Sequence, residues 1–198
     1  MERHYKDRLF SDHSWHVPPQ DYAQMKDNMV RSCADAMVLL VTGWWIFAKV
    51  YVLLGKRQQH PHPNWWVVGG KMWMGLSFVA SVVKNVAKEL KLNLDPSRFE
   101  NLNRAYSLAW ATRREEPVNN GCHDVSHLLV AEISAAEASR IKHNKEYSEV
   151  AWVELKLVAS GRQYHSSLRR MARDVIEFRH GPLRKTLKIW VDWFKQLF

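Results

Sequence analysis

Residues 53–92 read LLGKRQQHPHPNWWVVGGKMWMGLSFVASVVKNVAKELKL, and the fold turns on how this stretch is parsed. Pro61 and Pro63 forbid regular structure in the polar segment 55–64. Trp65-Trp66-Val67-Val68 is short, apolar and β-prone, and it stops at Gly69-Gly70, which predicts a strand running into a tight turn. From Leu76 to Leu90 the period changes: Phe78, Val82, Val83, Val86 and Leu90 share one face of a helix. Strand, glycine turn, helix is the local order to be explained.

Outward from this window, Met37 to Leu54 is almost continuously apolar and invites a membrane reading. Lys49 argues against it, because a charge near the centre of a span costs about 3 kcal/mol. Two buried strands, near 37–41 and 46–54, joined through Thr42-Gly43, account for the same letters. Upstream, residues 1–18 read as an irregular arm, and Gln20 to Asp35 as a helix, since Tyr22, Met25, Met29 and Cys33 recur at helical spacing. Downstream, residues 91–100 read as a loop around Pro96. Strands are expected at 104–112 and 125–133 across the turn EEPVNNG, a short helix at 134–142 and a strand at 150–153. Residues 163–180 suit a basic helix. After Pro182, Leu183, Leu187, Trp190, Val191, Phe194 and Phe198 form the apolar side of an amphipathic one, suited to docking on its own domain or to a homodimer.

At 198 residues the chain has room for one domain with a sizeable core. The division expected is an arm and helix over 1–33, a central domain over 34–160 and a basic helical extension over 161–198. With 29 Lys+Arg against 20 Asp+Glu the net charge is +9, a field that draws nucleotides, phosphorylated sugars, RNA or anionic surfaces. Ten tryptophans, several in pairs, suit packed surfaces or stacking platforms for single-stranded bases. Cys33 and Cys122 lack the spacing of a zinc site or a disulfide framework, and the N-terminal residues lack an apolar signal core, so a reduced, cytoplasmic setting without a transmembrane span is expected.

The window 53–92 resembles the Nudix family, whose box runs glycine, five residues, glutamate, seven residues, then Arg-Glu-hydrophobic-x-Glu-Glu-x-Gly-hydrophobic. Counted from Gly70, the spacing fits without a gap, but Leu76, Lys84, Asn85, Lys88 and Lys91 stand where the first glutamate, the arginine, its glutamate, one of the glutamate pair and the glycine belong. Glu89 alone keeps its carboxylate. The resemblance implies an α/β fold, a Nudix-type α/β/α sandwich with a mixed sheet and added N-terminal and C-terminal helices. Within the family, LLGKR before the turn and Lys71 after it look like the GDP-mannose mannosyl hydrolases, whose box is itself reduced.

That resemblance implies the site. Arg57, Lys71, Gly69 and Gly70 would contact a diphosphate, and Lys88 would stand as a tethered cation. Glu89 would hold magnesium, with Glu146 as a second ligand found six residues before Trp152. The general-base position falls on Tyr147, a poor base at neutral pH since a free phenol titrates near ~10; His143, His123 or His127 would have to substitute. The function implied is binding of a nucleotide or nucleotide sugar, with hydrolysis reduced, non-standard or lost. The alternative expectation is an RNA-binding or protein-interaction module on an inactive scaffold.

Overall fold

The computed structural model describes residues 4–12, 14, 16–43 and 48–180. Their centre is a mixed seven-stranded sheet. Strand β1 (Arg31–Thr42) is its spine. It pairs in parallel with β6 (Cys122–Ile133), which pairs antiparallel with the edge strand β5 (Glu100–Trp110). The opposite edge of β1 is divided. Cys33–Ala36 pair with β4 (Val68–Lys71), whereas Leu39–Thr42 pair with β2 (Lys49–Arg57). Strand β2 carries the short β3 (Trp65–Trp66) and β7 (Tyr147–Glu154), both antiparallel to it. The sheet therefore forks along β1.

Both faces are covered. Helix α2 (Phe78–Leu90) lays Val82, Val86 and Leu90 on Ala34, Ala36, Val38, Leu129 and Ala131. On the far side, helix α4 (Leu155–Ser160) and the helix over 166–180 (α5) bring Leu155, Val158, Leu168, Met171 and Val175 onto Met37, Leu39, Leu128 and Val130. Alternate residues of β1 and β6 thus feed two cores, the pattern of a strand buried on both sides. The result is an α/β/α sandwich, with α1 (Pro19–Asn28) added at the N-terminal side and α3 (Ala135–Ala138) following β6.

The expected helix over 20–35 is corrected: α1 ends at Asn28 and β1 begins at Arg31. Met29 and Cys33 fit a helical spacing by coincidence. Ladders to β6 and β4 on both edges of residues 31–36 override that weak preference. Residues 55–57 belong to β2 instead of the proline loop. The expected loop over 91–100 includes a 3-10 turn (Pro96–Arg98), and β5 begins earlier than expected, at Glu100, with an irregularity between Asn101 and Ala105 where Asn103 has φ 55. Helix α4 was not foreseen. Residues 46–47 of one expected strand and the amphipathic segment 183–198 lie outside the described residues. No helix among the described residues is long and apolar enough to cross a membrane.

Candidate functional site

Helix α2 begins at a Ser77 cap, whose hydroxyl oxygen accepts the Ala80 N–H at 3.1 Å, and ends at Lys91 in the left-handed region. Its C-terminal turn is pinned from outside, as Lys142 N–H donates to the Leu90 carbonyl and Asn144 N–H to the Glu89 carbonyl, each at 2.9 Å. Helix α2 thereby aims Glu89 at the fork in the sheet. Gly69 meets it there, with φ +145 and no room for a side chain: a Cβ would lie 2.5 Å from Asp35 Oδ1 and 2.6 Å from the Ala34 carbonyl oxygen. At Gly70 a Cβ would meet nothing within 4 Å, so this stretch of backbone is open to approach.

A cavity of about 200 Å³ opens at the fork. Gly69, Gly70, Lys71, Arg57, Lys88, Glu89 and Glu146 all line it, so the structure brings together seven of the nine residues expected in the site. Lys71 and Lys88 are exposed, and neither has an ion pair among the described residues. Arg57 is half-buried and reaches Glu146 at 3.7 Å.

The other two expected residues stand apart from the cavity. Tyr147 is buried behind Glu89, and its hydroxyl donates to Glu89 Oε2. Burial, then the charge of Glu89, raises its phenol well above the ordinary value, which removes it as a base. His143 is exposed, with its ring beside the Asn144 carbonyl. His127 stacks on Phe78 at 3.8 Å and His123 contacts Ser107 at 2.7 Å. Among the described residues no histidine lines the cavity.

The structure also supplies residues missed in the sequence. Arg31 donates to both oxygens of Asp124 at 2.8 Å, and Trp110 Nε1 donates to Asp124 Oδ2 at 3.1 Å. Ser126 donates to Asp35 Oδ2. Their signal was a strand period, Arg31, Cys33 and Asp35 alternating with Ser32 and Ala34, hidden while that stretch was read as a helix. Asn85, standing at a box glutamate position, is buried and structural: its amide donates to the Ala34 and Lys71 carbonyls at 3.3 and 3.4 Å, and it accepts Trp73 Nε1 at 2.8 Å. Lys84, at the arginine position, lies 3.7 Å from the centroid of the Trp73 ring.

Two carboxyls in this site are held close to neutral. Burial pushes Asp35 up to about 6, against the hydrogen bond from Ser126. Burial pushes Glu89 up to about 7, against the Tyr147 hydrogen bond and with the Glu146 charge adding to the rise. A resident magnesium ion wants oxygen donors in near-octahedral array, typically one or two carboxylates completed by phosphate and water. Among the described residues no three His, Cys, Asp or Glu side chains cluster so as to hold one. Glu89 Oε2 already accepts from Tyr147 and from Gly69 N–H at 3.2 Å, and Glu146 faces Arg57. What remains for a metal is Glu89 Oε1 and a Glu146 carboxylate already facing Arg57, a poor donor set for the ion that the resemblance implies.

Comparison with known proteins bears on the fold. A family model described as NUDIX domain matches residues 39–174. Among solved structures, an Ap4A hydrolase binary complex from C. elegans aligns with TM-score 0.58 at 13% identity, covering 77% of this chain and 99% of that one. A mutT/nudix family protein from Listeria innocua gives 0.59 at 12%, covering 77% and 96%. The NUDIX domain of Shewanella oneidensis NrtR, complexed with ADP ribose, gives 0.52 at 18%, covering 81% and 99%. At such identities the likeness is one of fold. Comparison with the curated proteins finds no match.

Proposed function

The chain belongs to the NUDIX family, and from that premise we propose that it binds a diphosphate-linked nucleotide ligand, a nucleotide or nucleotide sugar, at the fork of β1, with ordinary magnesium-dependent hydrolysis weak or lost. One observation carries the reading: Lys71, whose Nζ lies 5.8 Å from the Tyr22 ring, and Lys88 line the cavity without ion-pair partners among the described residues, together with an open Gly70 backbone. Unpaired cations beside exposed peptide groups are a complement for phosphate oxygens. Arg57 adds a planar donor that can exchange Glu146 for a phosphate. The Shewanella domain's ligand, ADP ribose, is a molecule of this chemical kind.

Cleavage is where we read the site as weak. Neither kind of base that was expected serves: no histidine lines the cavity among the described residues, and Tyr147 keeps its proton, which leaves carboxylates such as Asp35, Glu89 and Glu146. The carboxylate left to the box is engaged by two donors. Binding without efficient turnover follows.

A thermal-shift series tests this, with ADP ribose, GDP-mannose and GDP each added in EDTA and again in magnesium. Stabilisation in EDTA is expected, on the order of 2–3 kcal/mol at a hundred-fold excess of ligand over Kd. It should shrink in Lys71→Ala and Lys88→Ala. No shift with any of the three ligands would end the proposal. Magnesium-dependent release of product, abolished in Glu89→Gln, would make the chain an enzyme instead.

The RNA reading has less to stand on. The tryptophans at 65, 66, 73, 110 and 152 are all buried or half-buried. Trp73 lies under Lys84, and Trp66 and Trp110 meet edge to face at 5.4 Å.

A further inference from the structure

We infer that Tyr147 is a positioning residue that closes one oxygen of Glu89, Oε2, to divalent cations, leaving Arg57, Lys71 and Lys88 as the cations of the phosphate cradle. The inference rests on the diphosphate reading above and names how its site works.

The lock is built from four segments. Glu89 is 3% exposed, and its Oε2 receives the Tyr147 hydroxyl and the Gly69 N–H. A carboxylate oxygen offers two lone pairs, so this one is saturated and an incoming ion is left with Oε1 alone. Tyr147 reaches it across β2, over the position of Gly55, where any Cβ would overlap the phenol ring. The glycine of LLGKR therefore has a task its neighbours in the motif do not suggest: it leaves space for the ring that holds Glu89. The chain entering Tyr147 is fixed as well. Asn144 N–H donates to the Glu89 carbonyl, and Asn144 Oδ1 accepts Glu146 N–H, each at 2.9 Å. Glu89 and Tyr147 are thus tied at both backbone and side chain.

The charges around the pair act in the same direction. Lys88 is the next residue in the helix, and Glu146, the other oxygen donor expected for a metal, faces the Arg57 guanidinium. A divalent ion that took both oxygens of Glu89 and also Glu146 would have to displace a tyrosine hydroxyl and break an ion pair, and it would sit beside an ammonium group. Magnesium surrenders its waters reluctantly even to free carboxylates. A phosphate group needs no oxygen of Glu89: Arg57 can pass to it from Glu146, and Lys71 and Lys88 have no ion pair to break among the described residues.

The test uses the full chain and Mn2+ as probe, read by electron paramagnetic resonance, in wild type, Glu89→Gln, Tyr147→Phe and the double variant. Wild type and Glu89→Gln should bind Mn2+ equally weakly. Tyr147→Phe should gain about ten-fold or more in Mn2+ affinity, the scale of freeing one charged ligand. The double variant should lose that gain. A wild-type Mn2+ site that disappears in Glu89→Gln overturns the inference. So does a Tyr147→Phe protein with an unchanged near-ultraviolet dichroism spectrum and no gain. Should Tyr147→Phe fail to fold, wild type against Glu89→Gln decides alone: equal binding supports the lock and loss refutes it. Pyrophosphate binding to wild type in EDTA is measured in parallel. Its absence would sink the diphosphate reading while leaving the Mn2+ result to stand.

Discussion

A carboxyl that titrates near neutrality leaves a mark on stability. Glu89, pushed by burial up to about 7, holds its proton more tightly in the folded chain than in the unfolded one, whose value is near 4.5. Folded protein therefore binds more protons than unfolded between those values, and stability falls as pH climbs through that window, then levels off above it. Glu89→Gln, which cannot ionise, should lose this decline, so that from pH 4.5 to 8 it gains up to about 3 kcal/mol relative to wild type. Urea midpoints across that range check it; parallel curves would refute it. His62, lowered by burial to about 4, works in the opposite direction between 4 and 6.5, where stability rises with pH. It does so equally in both proteins and drops out of the comparison. Among single residues the family spacing marked Gly69, Lys71 and Glu89, which the structure gathers at one cavity, and also Tyr147, which it sets behind Glu89. The sequence was silent about Tyr147 as a partner of Glu89, because nothing in one dimension shows that Gly55 makes room for its ring.

Among the elements, α1 is the one whose attachment is least apparent from its own letters. Its sequence offers a weak amphipathic face, and only Ala23 is buried. What holds it is Arg113, a fully buried guanidinium from the segment between β5 and β6. Arg113 donates to the Ala23 carbonyl at 3.1 Å and Asp27 Oδ1 at 2.5 Å, and to the carbonyls of Glu115 and Glu116. Arg113→Ala strands those acceptors and leaves a void, and should cost about 3 kcal/mol. A fall in the urea midpoint, with faster proteolysis before residue 31, is the expected readout; an unchanged midpoint would show that α1 is held otherwise. The same logic explains which elements were legible. Helix α2 and the strands that bury one or two whole faces declared themselves by period, since burial writes a repeating pattern. The start of β1 did not, because its polar residues face the cavity and break the apolar run. Its backbone ladders, set by distant strands, decide its conformation.

Taken whole, the molecule carries a net charge of +9, and its cavity presents Lys71 and Lys88 without ion-pair partners among the described residues. Attraction of a diphosphate should then be screened: raising salt from about 50 mM to about 500 mM shrinks the Debye length from roughly 14 to 4 Å and should weaken ADP-ribose binding about ten-fold. Calorimetry at the two salts measures it, and salt-independent affinity would mean the ligand is held by something other than these lysines. The mixed sheet with α2 on one face and a helix over 166–180 could be anticipated from the chain, while α4 and the fork in β1 that makes the cavity could not, since the fork depends on two strands sharing one edge. Residues 19–31 are bound into that same arrangement through the Arg31–Asp124 pair and the clasp on Arg113. Trimming the protein to begin at residue 34 would thus remove more than a leader. It would strip Asp124 of its guanidinium, leave the Trp110 indole tethered to an unbalanced acid, and take one positive charge out of the cavity's lining.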